Sequence, residues 1–354
     1  MKIKNTPYYS KRINSLPRGC QLCVLGRKEV IFVTGLCRRD CYYCPISDEK
    51  YKKDVTYANE WPTNKIKNII KEAQLTEAKG AGLTGGDPLM TLDRTLRIIK
   101  ALKKKFGKTF HIHLYTSFDL IDSKKLKNLY KAGLDELRFH PDIDKSDLWY
   151  KISLAKNFDW DLGIEIPAVP GKLKQTKKLI DFFVEKIKFL NINELEIADN
   201  KANQLQERGF HIKNKLSYAI KGSETLALKI LKYCAKKYPK LRVHYCTAKL
   251  KDRVQLSKRI KLRAKNVAKD YDIISEEGTL IRGMIEAKRP VALRTKLMKK
   301  FKIPAKLIQA EKNRVLIAPW ILEEIKENLN QKLKPAIVEE YPTWDKLKIE
   351  INYL

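Results

Sequence analysis

The chain has 354 residues, 44% of them hydrophobic and 32% charged, which is typical of a globular protein with one large or two ordinary domains. Its net charge of +32 invites a polyanionic partner such as RNA, although a general lysine bias would also explain it. No apolar run is long enough to span a bilayer, and the N-terminus lacks an apolar signal core. We therefore expect a cytoplasmic protein without a membrane partner.

Strand and helix patterns alternate from residue 29 onward. Seven β-rich runs predict strands, the second and fifth with their exit turns: 29–35, 81–88, 110–116, 136–139, 162–171, 194–198 and 241–246. Helical spacing separates most of them, for example at 91–106 and 174–190. This alternation predicts an α/β fold with a parallel sheet or barrel, joined by right-handed crossovers. Six or seven units are too few for a closed eight-stranded barrel.

The remaining residues follow another pattern. The stretch 249–269 is strongly basic and helical in spacing, and hairpins are predicted at 273–286 and 306–318. A helix at 320–329 and a strand at 347–351 complete a small α+β unit. We thus expect three parts: an N-terminal extension with a cysteine pair (1–28), a barrel domain (29–248) and a basic C-terminal domain (249–354).

Three cysteines follow the first predicted strand with the spacing C-x3-C-x2-C, at Cys37, Cys41 and Cys44. Thiolates so spaced can converge on one point, and they are the usual ligands of iron–sulfur clusters and also suit zinc. Because four cysteines usually saturate a four-iron cluster, three would leave one iron open for another ligand. The alternatives are a zinc loop or three structural thiols.

A glycine-rich turn, Gly85-Gly86-Asp87-Pro88, ends the second predicted strand. Loops at the carboxyl ends of parallel strands converge, so this turn should lie beside the cysteine loop. Glycines let the backbone approach a ligand, and an acid can pair with an ammonium group. The two motifs together, with Tyr43 before the third cysteine, resemble the radical S-adenosylmethionine (SAM) superfamily. Asp87 stands where that family usually has glutamate.

The resemblance implies a partial (βα)6-type parallel barrel, a [4Fe-4S] cluster on the three cysteines, and SAM chelated to the open iron. It implies that the glycine turn binds the SAM amino group, that Tyr43 and Ile164 contact adenine, and that His140 lies near the ribose. Tyr43 could equally pack, and His140 could be a satisfied histidine. The expected SAM-binding residues are Tyr43, Gly85, Gly86, Asp87, Thr116, His140 and Ile164.

The family's chemistry would be cleavage of SAM, after one electron arrives from a donor, to methionine and a 5′-deoxyadenosyl radical that abstracts hydrogen from a substrate. The chain looks most like the branch near pyruvate formate-lyase-activating enzymes. One hypothesis is a tRNA or other RNA substrate, because 249–269 is basic; another is a protein substrate, activated to a glycyl radical. A third is a non-catalytic cluster-binding subunit, against which the glycine turn speaks. Glu196 and Asp199 are candidates for substrate binding or proton transfer.

A second cysteine pair, Cys20-x2-Cys23, precedes the barrel. A C-x2-C pair is half of a zinc site, and His244 with Cys246 could complete it if the first and last strands approach each other. Zinc or a second iron–sulfur cluster could bind there. The alternative is a reduced thiol pair.

Overall fold

The structure is a computed structural model that describes residues 2–214 and 217–354. The chain forms two compact units. The first comprises the residues up to 256 apart from 75–77, and the second comprises 75–77 and 257–354. The N-terminal 28 residues thus belong to the same unit as the barrel, which extends eight residues beyond the predicted end at 248.

Seven parallel strands form the centre of the first unit, and each pairs with the next along the chain. They are β1 Lys28–Thr34, β2 Gly80–Gly85, β3 His111–Thr116, β4 Glu136–Phe139, β5 Asp161–Ala168, β6 Phe189–Glu194 and β7 Arg242–Cys246. The predicted class, an α/β fold built as a partial parallel barrel, is confirmed, with seven strands where the (βα)6 pattern has six.

Short antiparallel strands extend both edges of this sheet. Lys4–Asn5 and Lys11–Ile13 lie beyond β7, and Tyr57–Ala58 and Trp61–Pro62 lie beyond β1. Within the described residues the two outermost strands do not pair, so the barrel is open. A separate two-stranded sheet follows β6, at Ile212–Asn214 and Ser217–Ile220.

Helices connect the parallel strands and bury one apolar face each against the sheet. The helix Leu92–Phe106, for instance, buries Ile98, Ile99 and Leu102, spaced as one helical face requires, and ends before Gly107. The helices of this part are Arg18–Cys23, Ile66–Leu75, Leu92–Phe106, Ser123–Ala132, Ile152–Ala155, Leu173–Phe183, Ser223–Lys237 and Ala248–Leu250, with a π-helical turn at Lys251–Leu256. None of the described helices combines the length and apolar character that a membrane span requires.

The sixth strand was predicted in the wrong place. It runs over Phe189–Glu194 and not over 194–198, because the preceding helix ends at Phe183 and does not continue to 190. Its residues alternate between two environments. Leu190 and Ile192 are buried in the apolar core, whereas the intervening asparagines bind the Glu165 carboxylate on β5.

The second unit is an antiparallel sheet with three helices. Its strands are β8 Ile273–Ile274, β9 Leu280–Glu286, β10 Ile308–Glu311, β11 Arg314–Ile317, β12 Pro335–Glu340 and β13 Lys348–Tyr353. Its helices are Ser257–Val267, Pro290–Phe301 and Pro319–Ile325. Both predicted hairpins are present, as β8–β9 and β10–β11. The strand order is β10-β11-β9-β12-β13, with β8 also on β9.

Candidate active site at the carboxyl ends of the barrel strands

The segment 35–53, here called the cysteine loop, leaves the end of β1 and carries Cys37, Cys41 and Cys44. Backbone hydrogen bonds close its base: Gly35 N–H donates to the Lys53 carbonyl at 2.8 Å, and Lys52 N–H donates to the Gly35 carbonyl at 3.0 Å. A Cβ atom at position 35 would lie 1.6 Å from the Lys50 carbonyl oxygen. Only glycine therefore permits this closure.

The glycine turn after β2 packs directly on the start of the cysteine loop. Gly86 N–H donates to the Thr34 carbonyl and Asp87 N–H to the Leu36 carbonyl, both at 2.8 Å. A Cβ atom on Gly86 would meet the Leu36 oxygen at 2.2 Å, and Gly85 has a φ of +141°. The glycines let two main chains approach each other, which fixes the cysteine loop relative to the end of β2.

The Asp87 carboxylate points into the protein. It accepts hydrogen bonds from Leu89 N–H (3.0 Å), from the Thr116 hydroxyl (2.8 and 2.9 Å), and from the Ser117 N–H and hydroxyl (3.1 Å each). Its side chain is buried, and burial raises the pKa of the carboxyl while these donors oppose the shift. Asp87 and Thr116 therefore join β2 to β3, and their polar atoms are already occupied by each other.

Arg39 fastens the middle of the cysteine loop to the end of β4. Its guanidinium donates to the His140 carbonyl at 2.7 Å and to the Asp142 carboxylate at 3.2 Å. The arginine side chain is 12% exposed and the aspartate 40%. Cys37 and Cys41 flank this anchor in sequence, so it constrains the path of the chain between them.

His140 contacts Tyr43 beneath the loop. Burial lowers the pKa of His140 to about 4, so the ring is neutral near pH 7. Its Nδ1 lies 2.9 Å from the Glu165 carbonyl and must donate, because a carbonyl only accepts. Nε2 is therefore the acceptor for the Tyr43 hydroxyl at 3.1 Å. These two expected SAM-binding residues do lie together.

Residues 200–208, here called the cover segment, follow β6 and pack on the cysteine loop. Gln204 N–H donates to the Tyr42 carbonyl at 2.7 Å, and the Asn200 amide donates to the Cys44 carbonyl at 3.3 Å. The Arg208 guanidinium lies 4.4 Å from the centre of the Tyr42 ring. Sequence reasoning had left this stretch as irregular, and nothing in its composition indicated the contact.

The three thiols of the loop are half-buried and close enough for their charges to interact. Burial raises the pKa of Cys37 to about 11, and the neighbouring Cys41 raises it further. Cys41 acts in the same direction on Cys44. As they stand, no three cysteine, histidine or carboxylate side chains within residues 2–214 and 217–354 are grouped tightly enough to hold a metal ion. The donor set nevertheless fits an iron–sulfur cluster, since its iron would offset the burial of thiolates on one constrained loop.

Ile164 is not part of this arrangement. It is fully buried and lies on the opposite face of β5 from Glu165, whose carboxylate binds inward-facing residues of neighbouring strands. Its neighbours across the ladder are Phe139 and Leu190, both core residues. The structure thus does not bring the Ile164 side chain to the other expected SAM-binding residues.

A buried charge network inside the barrel was missed by sequence reasoning. Arg138 is almost fully buried and pairs with Glu136 and, at 2.8 Å, with Glu165; it also donates to the Tyr115 hydroxyl at 3.0 Å. Glu136 in turn accepts from Gly19 N–H at 3.0 Å, which attaches the helix Arg18–Cys23 to the barrel interior. Charged residues at alternate positions within a predicted strand were the available signal.

The second cysteine set lies beside this network. Cys20 accepts hydrogen bonds from the Asn191 amide at 3.3 Å and from Arg138 at 3.5 Å, and burial raises its pKa to about 12. Cys246 is near enough to Cys20 and Cys23 for electrostatic interaction. His244 contacts Ser10 through Nε2, at 3.2 Å, and its buried Nδ1 has no hydrogen-bond partner.

Comparison with known proteins yields two family matches and one close relative. Residues 31–160 match the radical SAM superfamily, and residues 278–354 match a domain of unknown function, DUF8061. A protein of Methanocaldococcus jannaschii, provisionally named a glycyl-radical enzyme activating enzyme, is 39% identical over 359 residues. That alignment covers 97% of this chain and 94% of the relative.

Solved radical SAM structures are more distant. HydG, a maturase of the [FeFe]-hydrogenase, matches with 11% identity and a TM-score of 0.44 over 72% of this chain and 69% of its own. Methylornithine synthase (PylB) matches with 15% identity and a TM-score of 0.42, over 64% and 72%. From its family match and its close relative, this chain belongs to the radical SAM superfamily and is an enzyme of the kind that uses a [4Fe-4S] cluster and SAM.

Proposed function

We propose that the enzyme activates a partner protein by abstracting a hydrogen atom from a glycine Cα of that protein. The observation that carries this proposal is the near full-length similarity to a relative provisionally named a glycyl-radical enzyme activating enzyme. An electron donor must supply one electron per turnover, because the cleavage of SAM is reductive. The products would be methionine, 5′-deoxyadenosine and a glycyl radical on the partner.

The residues of the cysteine loop would hold the cofactors. Cys37, Cys41 and Cys44 would ligate the cluster, which when bound delivers the electron that cleaves SAM. Tyr43 and His140, joined by their hydrogen bond, would border the nucleoside of SAM at the end of β4. The neutral His140 would present no charge to it.

The glycine turn would act through its main chain. Gly85 and Gly86 lie against the start of the cysteine loop and would offer backbone atoms to the methionine part of SAM. Asp87 and Thr116 would support this turn from below, because their side chains bind each other. This role differs from a direct contact between the acid and the SAM ammonium.

An RNA substrate is the second candidate, and the charge of +32 favours it. The basic stretch 249–269 gives it less support in the folded chain than in the sequence. Arg259 and Arg263 are buried, and Lys251 forms an ion pair with Glu196. These cations serve packing or pairing, so they would contribute little to binding phosphates.

The two candidates can be separated by the reaction itself. Anaerobically reconstituted, dithionite-reduced enzyme is mixed with SAM and cell extract of the source organism treated with either ribonuclease or protease, with Cys41→Ala as the inactive control. We expect the ribonuclease-treated extract to raise 5′-deoxyadenosine formation and to develop a glycyl-radical signal in electron paramagnetic resonance. Stimulation by purified tRNA or by the protease-treated extract alone would overturn the proposal. Bound cluster without any SAM cleavage would indicate the non-catalytic alternative.

The second metal site, at Cys20, Cys23, His244 and Cys246, stays a prediction. In its favour are the electrostatic proximity of the three thiols and the unpartnered His244 Nδ1, whose Nε2 is supported by Ser10 as second-shell groups support ligating histidines. Zinc and iron analysis of Cys20→Ala protein beside wild type tests it. Equal metal content beyond the cluster iron would refute it.

A further inference from the structure

The last strand of the second unit, β13, lies at the edge of its sheet with one side open. It pairs with β12 on one side, and within the described residues no strand pairs with the other. All six residues, Lys348–Tyr353, are exposed. Ile349, Ile351 and Tyr353 share one face and are 47%, 36% and 61% exposed. An open edge with an apolar face is a template for pairing with another chain.

The hydrogen-bonding pattern shows which backbone groups are open. Leu354 N–H donates to the Pro335 carbonyl at 3.0 Å, and the strands are antiparallel. Because backbone groups alternate in such a ladder, Asn352 also points toward β12, while Ile351 and Tyr353 direct their N–H and C=O groups away from it. The register shifts between Glu339 and Glu340, so the regular part of β13 begins after Ile349.

We propose that the partner of this edge is a second copy of the same chain, paired antiparallel through β13 about a two-fold axis at Ile351. Ile351 would then face itself, and Ile349 would face Tyr353 of the second copy. On the other face Glu350 would lie opposite Asn352 of the second copy, a carboxylate beside an amide donor. Every directly opposed pair is compatible.

Neighbouring registers fit less well. An axis at Glu350 would set two carboxylates against each other and would use residues whose backbone groups already serve β12. An axis at Ile349 would fall on the irregular part of the strand. Only the axis at Ile351 uses outward-directed backbone groups over the regular part of the strand and leaves no like charges opposed. The strand is thus complementary to itself, which selects a second copy as its occupant.

The mass of the protein in solution tests the proposal. We expect light scattering after gel filtration, at about 10–50 µM chain, a concentration chosen to favour specific dimers, to give twice the chain mass of 41.2 kDa. Ile351→Lys would oppose two ammonium groups at the axis and should give the monomer mass. Ile273→Lys is the matched control, since Ile273 is 42% exposed on another strand, and it should stay dimeric.

A cross-link tests the register. Opposed residues of a hydrogen-bonded antiparallel pair lie about 5.5 Å apart at Cα, within disulfide range. Ile351→Cys should therefore form a covalent dimer on mild oxidation, whereas Ile273→Cys should not. A monomeric wild type, a dimer unaffected by Ile351→Lys, or equal cross-linking of both cysteine variants would overturn the proposal, and circular dichroism confirms that each variant is folded.

Discussion

Replacing Arg39 by methionine should loosen the cysteine loop without unfolding the protein. The guanidinium makes two hydrogen bonds at the end of β4, one to the His140 carbonyl and one to the Asp142 carboxylate. A charged donor to a shielded carbonyl stabilises by about 1.5–3 kcal/mol. The ion pair with the 40% exposed carboxylate adds up to about 1 kcal/mol.

Together these contacts hold the loop by about 2–4 kcal/mol, which corresponds to a roughly 30- to 900-fold larger undocked fraction in the variant. An undocked loop exposes the cluster to chelators. We therefore expect Arg39→Met to lose iron to a chelator at least about tenfold faster than wild type, and to hold less iron and sulfide after reconstitution. Its melting temperature should stay within a few degrees.

Arg38→Met is the matched control, because Arg38 is an exposed neighbour on the same loop. It should lose iron at the wild-type rate. If Arg39→Met and Arg38→Met behave alike, the anchor does not hold the loop, and the reasoning from its two hydrogen bonds is wrong.

Three further outcomes follow from the structure. Arg138→Met would leave buried carboxylates unpaired at a cost of about 3–5 kcal/mol, lowering the melting temperature by roughly 6–20 °C, whereas Arg242→Met, which breaks a pair about one quarter exposed, should lower it by less than about 4 °C. Burial lowers the pKa of His244 to about 4, so the unfolded chain binds the extra proton below pH 6.5; stability should fall by about 2 kcal/mol at pH 5, and less in His244→Asn, as melting scans would show. Gly86→Ala would drive a methyl group against the Leu36 carbonyl and should reduce the iron bound per chain; unchanged iron content would contradict this packing.

The sequence predicted most of the barrel because its strands carry strong local patterns. Six of the seven parallel strands lie within a few residues of the predicted runs. The sixth failed because the apolar residues Ile187 and Leu190 continue the spacing of the preceding helix, so periodicity alone could not show where that helix ends. The helix Pro290–Phe301 was missed although its signal was present: proline at its start and leucines at positions 293 and 297.

The site was predictable in its location but not in its side-chain directions. Loops at the carboxyl ends of parallel strands had to converge, so the meeting of the cysteine loop with the glycine turn could be expected. The inward turn of Asp87 depends on Thr116, a residue on another strand. The face that Ile164 presents depends on sheet register. Such long-range contacts leave no local mark in a single sequence.

The cysteine loop is held in place largely by main-chain atoms, at Gly35, Leu36, Tyr42 and Cys44. Side chains elsewhere on it are therefore free to be exchanged without redirecting the chain. Glu49, which is exposed on the same loop, offers a position for a nitroxide label at a fixed offset from the three thiols. Relaxation of that label by a paramagnetic cluster would report the distance between them, and so turn the loop into a ruler for following substrate binding.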